Sequence, residues 1–232
     1  MSRRHLILLP GLLTDARLYG HQTAALADIA DVTVADLTQG DSVGALAERV
    51  LAAAPATFAL AGLSMGGYVA FEILRRAPQR VVRLALLDTT ARADTAEQVE
   101  RRNAGIAVAR DGHFGRIMPA LLPQLVLPAH LALDSVGGLA VRMAEAVGPE
   151  AFIRQQTAIR DRPDSRPLLA AIACPTLVLV GAQDQLTPPD RAAEMAEAIP
   201  AAQLISIVDC GHLSAIEQPE AVSAALRFWL LG

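Results

Sequence analysis

The chain has 232 residues, 53% of them hydrophobic, and a formal net charge of −4. That apolar share supplies a large core, and the length fits one domain carrying an insertion better than two equal domains. All 20 basic residues are arginine, which excludes a Schiff-base lysine, a pyridoxal-phosphate anchor and a Walker-type phosphate loop, and the modest charge argues against a nucleic-acid or anionic-membrane surface.

The start, "MSRRHLILLPGLL", sets two arginines before an apolar stretch, as a signal peptide does. Pro10-Gly11 interrupts it and no small-residue cleavage pattern follows, so it reads as a first strand and the expected location is the cytoplasm. Further strand-like runs are 31–36, 57–62, 82–88, 176–181 and 203–209, beside the first at 5–9. Helix-like segments lie near 15–28, 42–54, 65–77, 188–199 and 216–231. Thr14 or Asp15, Ser42, and Thr187 ahead of Pro188-Pro189 are the expected caps. Alternation of continuous apolar strands with helices predicts an α/β fold with a six-stranded parallel sheet covered on both faces. Cys174 and Cys210 are expected to be buried free thiols, because two cysteines make no disulfide framework. No apolar run is long enough for a membrane span.

One connection breaks the rhythm. From about 90 to 170 the pattern is helical, over "TAEQVERRNAGIAVARDG", 113–122, 136–147 and 149–161. It far exceeds an ordinary crossover. It leaves from the C-terminal end of a strand, where parallel sheets bind ligands. The expected organisation is a core of 1–90 and 170–232 with a helical cap over 91–169. Plain packing of those helices on the body is the other reading.

Gly62-Leu63-Ser64-Met65-Gly66 fits G-x-S-x-G between a strand and a helix. Such a sharp reversal strains the serine and lifts its hydroxyl to a helix N-terminus, where negative charge is favoured. Ser64 is therefore the candidate nucleophile. Gly67 is expected to relieve the first turn of the helix. Of five histidines, His212 alone follows a strand on a loop at the C-terminal edge. His5 lies at the wrong end of the first strand, His21 in the first helix, and His113 and His130 in the insertion. His212 is the candidate base. A carboxylate must orient it, and Asp184, after the strand "TLVLVG", is the first candidate, with Asp88 in reserve and Asp209 too close in sequence for an easy approach. An oxyanion needs donors: the Met65 backbone N–H and one from the loop after the first strand, Leu12 first and Leu13 next.

The blocks "LLPGLLTDARLYGHQ", "AGLSMGGYVAFEILRRAPQRVVRLALLDT", "CPTLVLVGAQDQLTPPDRAAEMAEAIP" and "DCGHLSAIEQPEAV" resemble those of small bacterial α/β-hydrolases, among them carboxylesterases, enol-lactonases and carbon–carbon bond hydrolases. The resemblance covers the chain except most of the insertion. It implies the α/β-hydrolase fold with a helical cap, a triad of Ser64, Asp184 and His212, and no cofactor or metal. Many relatives carry His-Gly where this chain has Pro10-Gly11, often begin with two further strands, and have a glycine-rich loop where this chain has "DLTQGDSVG".

The expected function is hydrolysis of a small carboxylic ester, lactone or thioester through an acyl-enzyme. The other readings are carbon–carbon hydrolysis on the same triad and a small-ligand receptor on the same scaffold. The pocket is expected to be lined by Leu12, Leu13, Met65, Phe114, Ile117 and Met118, with Arg154, Arg160 and Arg162 as possible partners for a substrate carboxylate or as solvated surface. The expected partner is a small ester-like molecule, with no nucleic acid and no membrane, and the chain is expected to be a monomer or homodimer.

Overall fold

Six apolar segments form strands in the computed structural model, which describes residues 3–200 and 202–232. They are β1 (Arg4–Leu9), β2 (Ala30–Val34), β3 (Phe58–Leu63), β4 (Val81–Leu87), β5 (Thr176–Gly181) and β6 (Ala202–Ile207). All neighbours pair in parallel, in the order β2-β1-β3-β4-β5-β6. Every residue of β3 and β5 is buried, which their unbroken apolar runs require, since such strands are covered on both faces. β5 has the expected bounds, and the ends of the other strands lie within two residues of expectation, as element boundaries commonly do.

Side chains alternate between two cores because a strand points successive residues to opposite faces. On one face Leu6, Leu8, Ala61, Leu63, Leu87 and Leu179 meet Val222, Leu226 and Trp229 of the last helix. On the other Ile7, Leu9, Leu60, Leu86, Val178 and Val180 meet Leu46 and Val50, Val69 and Ile73, and Met195. Each fully buried leucine or valine contributes about 1.5–3 kcal/mol. The covering helices are α1 (Gly20–Ala25), α2 (Val43–Ala53), α3 (Met65–Arg76), the β4–β5 helices α4 (Ala96–Arg110), α5 (Ile117–Leu125), α6 (Leu139–Arg160) and α7 (Arg166–Leu169), then α8 (Pro189–Ala198), α9 (Ser214–Glu217) and α10 (Pro219–Leu231). Among the described residues no helix is long and apolar enough to cross a membrane.

Local chemistry explains the helix ends. The Ser42 side chain accepts from Ala45 N at the start of α2. Thr95 and Gln98 form a reciprocal capping box on α4. Asp15 caps a 3₁₀ turn, Ala16–Tyr19, so the helix expected over 15–28 is a short turn followed by the short α1. The two helices expected over 136–147 and 149–161 lie in the one kinked element α6. The kink is at Gly148, whose φ of 76° no ordinary side chain tolerates well, with Pro149 next.

The strand order reverses between β1 and β3. At such a switch point the loops leaving adjacent strands diverge and open a crevice at the C-terminal edge. Backbone strain collects at that edge. Leu13, Ser64, Asp88 and Asp209 are the non-glycine residues with positive φ among those described, and they follow β1, β3, β4 and β6. Each such residue costs on the order of 1–3 kcal/mol and persists where its surroundings over-determine it.

Candidate active site

Ser64 sits at the tip of the β3–α3 reversal with φ 54° and ψ −114°. Its N–H donates to Leu87 O (3.0 Å), and its carbonyl accepts from Gly67 N (2.9 Å) and Thr89 Oγ1 (2.8 Å). A Cβ on Gly66 would overlap the Leu9 carbonyl, and one on Gly62 would overlap the Gly66 backbone, so the turn closes only with glycine at both places. Gly67 has a different role from the expected one. A Cβ there would collide with the Thr89 side chain, so it makes room for a neighbouring strand end rather than easing the helix.

His212 is buried on the loop after β6 and its Nδ1 lies 2.8 Å from Asp184 Oδ2. The other Asp184 oxygen accepts from Leu186 N (2.8 Å) and Thr187 N (3.0 Å). Asp184 therefore both organises its own turn and contacts the imidazole. The expectation that Thr187 caps α8 fails. Its hydroxyl donates instead to Asp184 Oδ2 at 2.7 Å, and Pro188 takes the cap position without a side-chain bond. Burial alone would depress the His212 imidazole, but the Asp184 charge and hydrogen bond, aided by Asp88 and Glu217, hold it above the usual histidine range. Burial likewise pushes Asp184 up, and the His212 charge with three hydrogen bonds overcomes it, leaving that carboxyl below its ordinary value.

The reserve carboxylates lie elsewhere. Asp88 is fully buried after β4, accepting from Gly181 N at 2.8 Å and bonded to the Ser214 hydroxyl. Burial, then the Asp184 charge, raise it to about 8. Asp209 is exposed. The remaining histidines are also accounted for: His21 Nδ1 meets Ser223 Oγ (2.8 Å), His130 Nδ1 meets Glu217 Oε2 (2.8 Å), and His5 and His113 are exposed.

Ser64 and His212 line one cavity of about 180 Å³, together with Gly11, Leu12, Leu13 and residues of the β4–β5 connection. Among the described residues neither Leu12 N nor Met65 N has a hydrogen-bond acceptor, whereas Leu13 N donates to Gln155 Oε1 at 3.1 Å. The order Leu12 before Leu13 thus has a physical reason: the Leu13 amide is already engaged.

The pocket expectations need correction. Phe114, Ile117 and Met118 do not line the cavity. Ile117 and Met118 are buried in the core beneath the helical connection, and Phe114 stacks on Phe152 with ring centroids 5.7 Å apart. The Met65 side chain is fully buried in the opposite core, so only its amide faces the turn. From the connection, the lining comes instead from Thr90, Arg92, Ala93, Asp94 and Thr95 ahead of and at the start of α4, and from Gln98, Arg102, Leu121, Leu125, Gln156, Ile159 and Arg162. Of the three arginines singled out, Arg154 donates to Thr38 O and Arg160 pairs with Asp161, both away from the cavity. Arg162 lines it.

Two buried side chains went unread. Gln155 is wholly buried, accepting from Leu13 N and donating to Leu37 O at 3.2 Å, so α6 is tied to the loops after β1 and β2. A signal existed: Gln155 follows Phe152 by three and precedes Ile159 by four, on the apolar face of its helix. Glu217 accepts from Gly211 N (3.0 Å) and Leu127 N (2.9 Å) and meets His130, linking the His212 loop to the connection. Leu125 O adds bonds from His212 N (2.9 Å) and Leu213 N (3.1 Å). No spacing in the sequence announces that linkage. Both cysteines are free, Cys210 buried and Cys174 only half-buried, and burial pushes both thiols up.

Residues 12–219 match the alpha/beta hydrolase fold family, and the chain belongs to it. A pimeloyl-(acyl-carrier protein) methyl ester esterase of Chromobacterium violaceum is 28% identical over 173 residues, 72% of this chain and 68% of its own. Two relatives from Mycobacterium tuberculosis strains, described provisionally as the non-heme bromoperoxidase BpoC, are 31% identical over 177 residues, and the match covers 71% of this chain but 64% of theirs. Among solved structures, a thermophilic esterase from Thermogutta terrifontis superposes with a TM-score of 0.90 at 32% identity, covering 99% of this chain and 90% of that one. The enol-lactonase from Burkholderia xenovorans LB400 gives 0.91 at 25% identity, covering 100% and 93%.

Proposed function

We propose that this chain is a serine hydrolase of small carboxylic esters, lactones or thioesters, with Ser64 as nucleophile, His212 as base and acid, and Asp184 as the orienting carboxylate. The observation that carries it is the Asp184–His212 contact on the same cavity as a positive-φ serine at a helix N-terminus. Because Nδ1 faces Asp184, Nε2 is the nitrogen left to serve Ser64.

Ser64 Oγ attacks the carbonyl carbon as its proton passes to His212 Nε2. The carbonyl oxygen takes the negative charge and meets the amides of Met65 and Leu12, each such donor being worth about 10²–10³ in rate. Collapse expels the alkoxide, which receives the proton from His212. Water then attacks the acyl-Ser64 ester, giving its proton to His212, and the acid leaves as Ser64 regains the proton. Residues 91–169 serve as the cap that walls this cavity. The relatives named for ester and lactone chemistry support the substrate class.

A fluorophosphonate probe should label the parent and not Ser64→Ala, and a panel of p-nitrophenyl esters, lactones and thioesters should show turnover. Labelling without turnover of any member would favour a ligand receptor instead. Turnover of carbon–carbon substrates alone would favour the other hydrolase reading.

A further inference from the structure

The cavity has two unlike kinds of lining. Leu12, Leu13, Leu63, Leu121, Leu125 and Leu213 give it apolar surface. It also meets Arg92, Arg102, Arg162 and Arg191, with Asp94 as the one carboxylate among its lining residues. Arg92 has its own partner in Glu194 at 2.9 Å, and Arg191 has Asp190 at 3.3 Å. Arg102 and Arg162 must share Asp94. Two guanidiniums on one carboxylate leave an excess positive charge. Their setting is sheltered, with 20% of the Arg102 side chain exposed and 4% of Arg162's.

The donor count agrees with the charge count. Arg162 spends Nη1 on Asp94 (2.6 Å) and Ile159 O (2.8 Å), and Nε on Arg92 O (3.1 Å). Its Nη2 has no acceptor among the described residues, although the guanidinium is fixed 4.1 Å over the Tyr68 ring. Gln156 is buried, accepts from Arg102 Nη1 at 2.9 Å, and leaves its Nε2 likewise without an acceptor. A sheltered cation without a full counter-charge is costly in a low-dielectric site. An anion placed there removes that cost and satisfies the spare donors. A carboxylate suits this pair of spare donors, with one oxygen for Arg162 Nη2 as a charge-assisted bond and the other for Gln156 Nε2.

We infer that the substrate's acyl chain carries a free carboxylate, which binds at Arg162, Arg102 and Gln156 while the ester carbonyl lies at Ser64. The volume sets the scale. A cavity of about 180 Å³ is below the roughly 300–1,000 Å³ of sites for drug-sized ligands, so the substrate is a half-ester of a short dicarboxylic acid. This inference rests on the serine hydrolase reading and names its substrate.

The test compares mono-p-nitrophenyl glutarate with its methyl-capped diester, the same chain without the charge. The parent should prefer the monoanion by about tenfold in kcat/KM, corresponding to about 1.4 kcal/mol of differential transition-state binding. Arg102→Gln and Gln156→Leu should lower that ratio toward one, and Asp94→Asn should raise it. Damage to packing would depress both rates and leave the ratio in place. A parent ratio of one or less, or a ratio unmoved by all three substitutions, overturns the inference. A parent that hydrolyses the diester with loss of activity in Ser64→Ala would keep the hydrolase reading even then. Calorimetry on Ser64→Ala with monomethyl glutarate and its neutral amide reads the anion site without turnover. Equal binding of the two sinks the site, and tighter binding of inorganic phosphate than of monomethyl glutarate sinks the carboxylate assignment.

Discussion

The edge of the sheet and the helical connection between β4 and β5 build one cavity by opposite means. The edge contributes strained, short segments: positive φ at Leu13, Ser64 and Asp88, each one to four residues beyond a strand end. Strand pairing on both sides over-determines these positions, so a hydroxyl or an amide is held without a long side chain to order. The connection contributes long side chains, Arg102, Gln156 and Arg162, held by one another, by Asp94 and by the loop carbonyl of Arg92. The division suits the chemistry proposed. Reacting atoms need rigid placement, whereas the wall that meets the rest of a substrate needs charge and shape. The two regions are also fastened together, by Gln155 to the loop after β1 and by Leu125 and Glu217 to the loop carrying His212.

The largest effect should come from the edge. Ser64→Ala removes one hydroxyl with 7% of the residue exposed, so the fold should persist while ester turnover falls by at least about 10³-fold. Circular dichroism and a p-nitrophenyl ester assay check both halves. Turnover within tenfold of the parent would remove Ser64 from the mechanism.

Asp184→Asn comes next. It keeps shape but loses the charge that raises His212, and it favours the wrong imidazole tautomer, so kcat should fall by about 10²–10⁴. The pH profile gives a second readout. His212 must be neutral to accept the Ser64 proton, and its pKa lies above the ordinary 6.5. In the parent, kcat/KM should therefore decline as pH falls through a value above 6.5. In Asp184→Asn the decline should move to lower pH. An unmoved acidic limb would mean that another carboxylate serves the histidine.

How much of this was legible differs between the two regions for the same reason. Ser64, Asp184 and His212 could be picked out because each lies just beyond a recognisable strand, and a parallel sheet gathers all such positions at one edge. In the connection, periodicity marks residues as buried without saying against what. Ile117 and Met118 are apolar, which suits a cavity wall as well as a core, yet they pack beneath the helices. Arg102 and Arg162 carry charge, as surface residues do, yet they line the cavity because Asp94, set before α4, draws them inward. Arg162 lies 68 positions from Asp94 and Arg102 eight, and neither separation is a helix-neighbour spacing that would announce the pair.

Gln155 tests the fastening between the regions. Gln155→Met keeps the volume but leaves Leu13 N buried without its acceptor, which costs about 1–3 kcal/mol of stability. The Leu12 amide sits one residue before it on the same loop. If the loop's register matters to the oxyanion, kcat should drop about tenfold with KM little changed. Urea midpoints and the kcat–KM split separate the two effects, and lost stability with unchanged kcat would reduce Gln155 to a packing residue.

The smallest effect on rate should come from Asp88→Asn, and its signature lies in stability. Asp88 makes no hydrogen bond to His212 and is not among the residues lining the cavity, and an asparagine keeps an acceptor for Gly181 N while offering Ser214 Oγ an N–H. Activity should stay close to the parent's. In the unfolded chain an aspartate titrates near 3.8, whereas in the folded protein this one titrates near 8. Between those values the folded state holds a proton that the unfolded state has released, so stability must fall as pH rises across the window. His212, also raised, contributes a fall of the same sign, but only above about 6.5; Asp184, lowered, acts only below about 3.8. The interval from pH 4.5 to 6 therefore isolates Asp88 from that pair. Urea unfolding across it should show the parent losing stability relative to Asp88→Asn, with the variant level with or above the parent by pH 8. Parallel curves would mean that the buried carboxyl is ionised like an ordinary one, and that Gly181 N and Ser214 stabilise its charge more than burial opposes it.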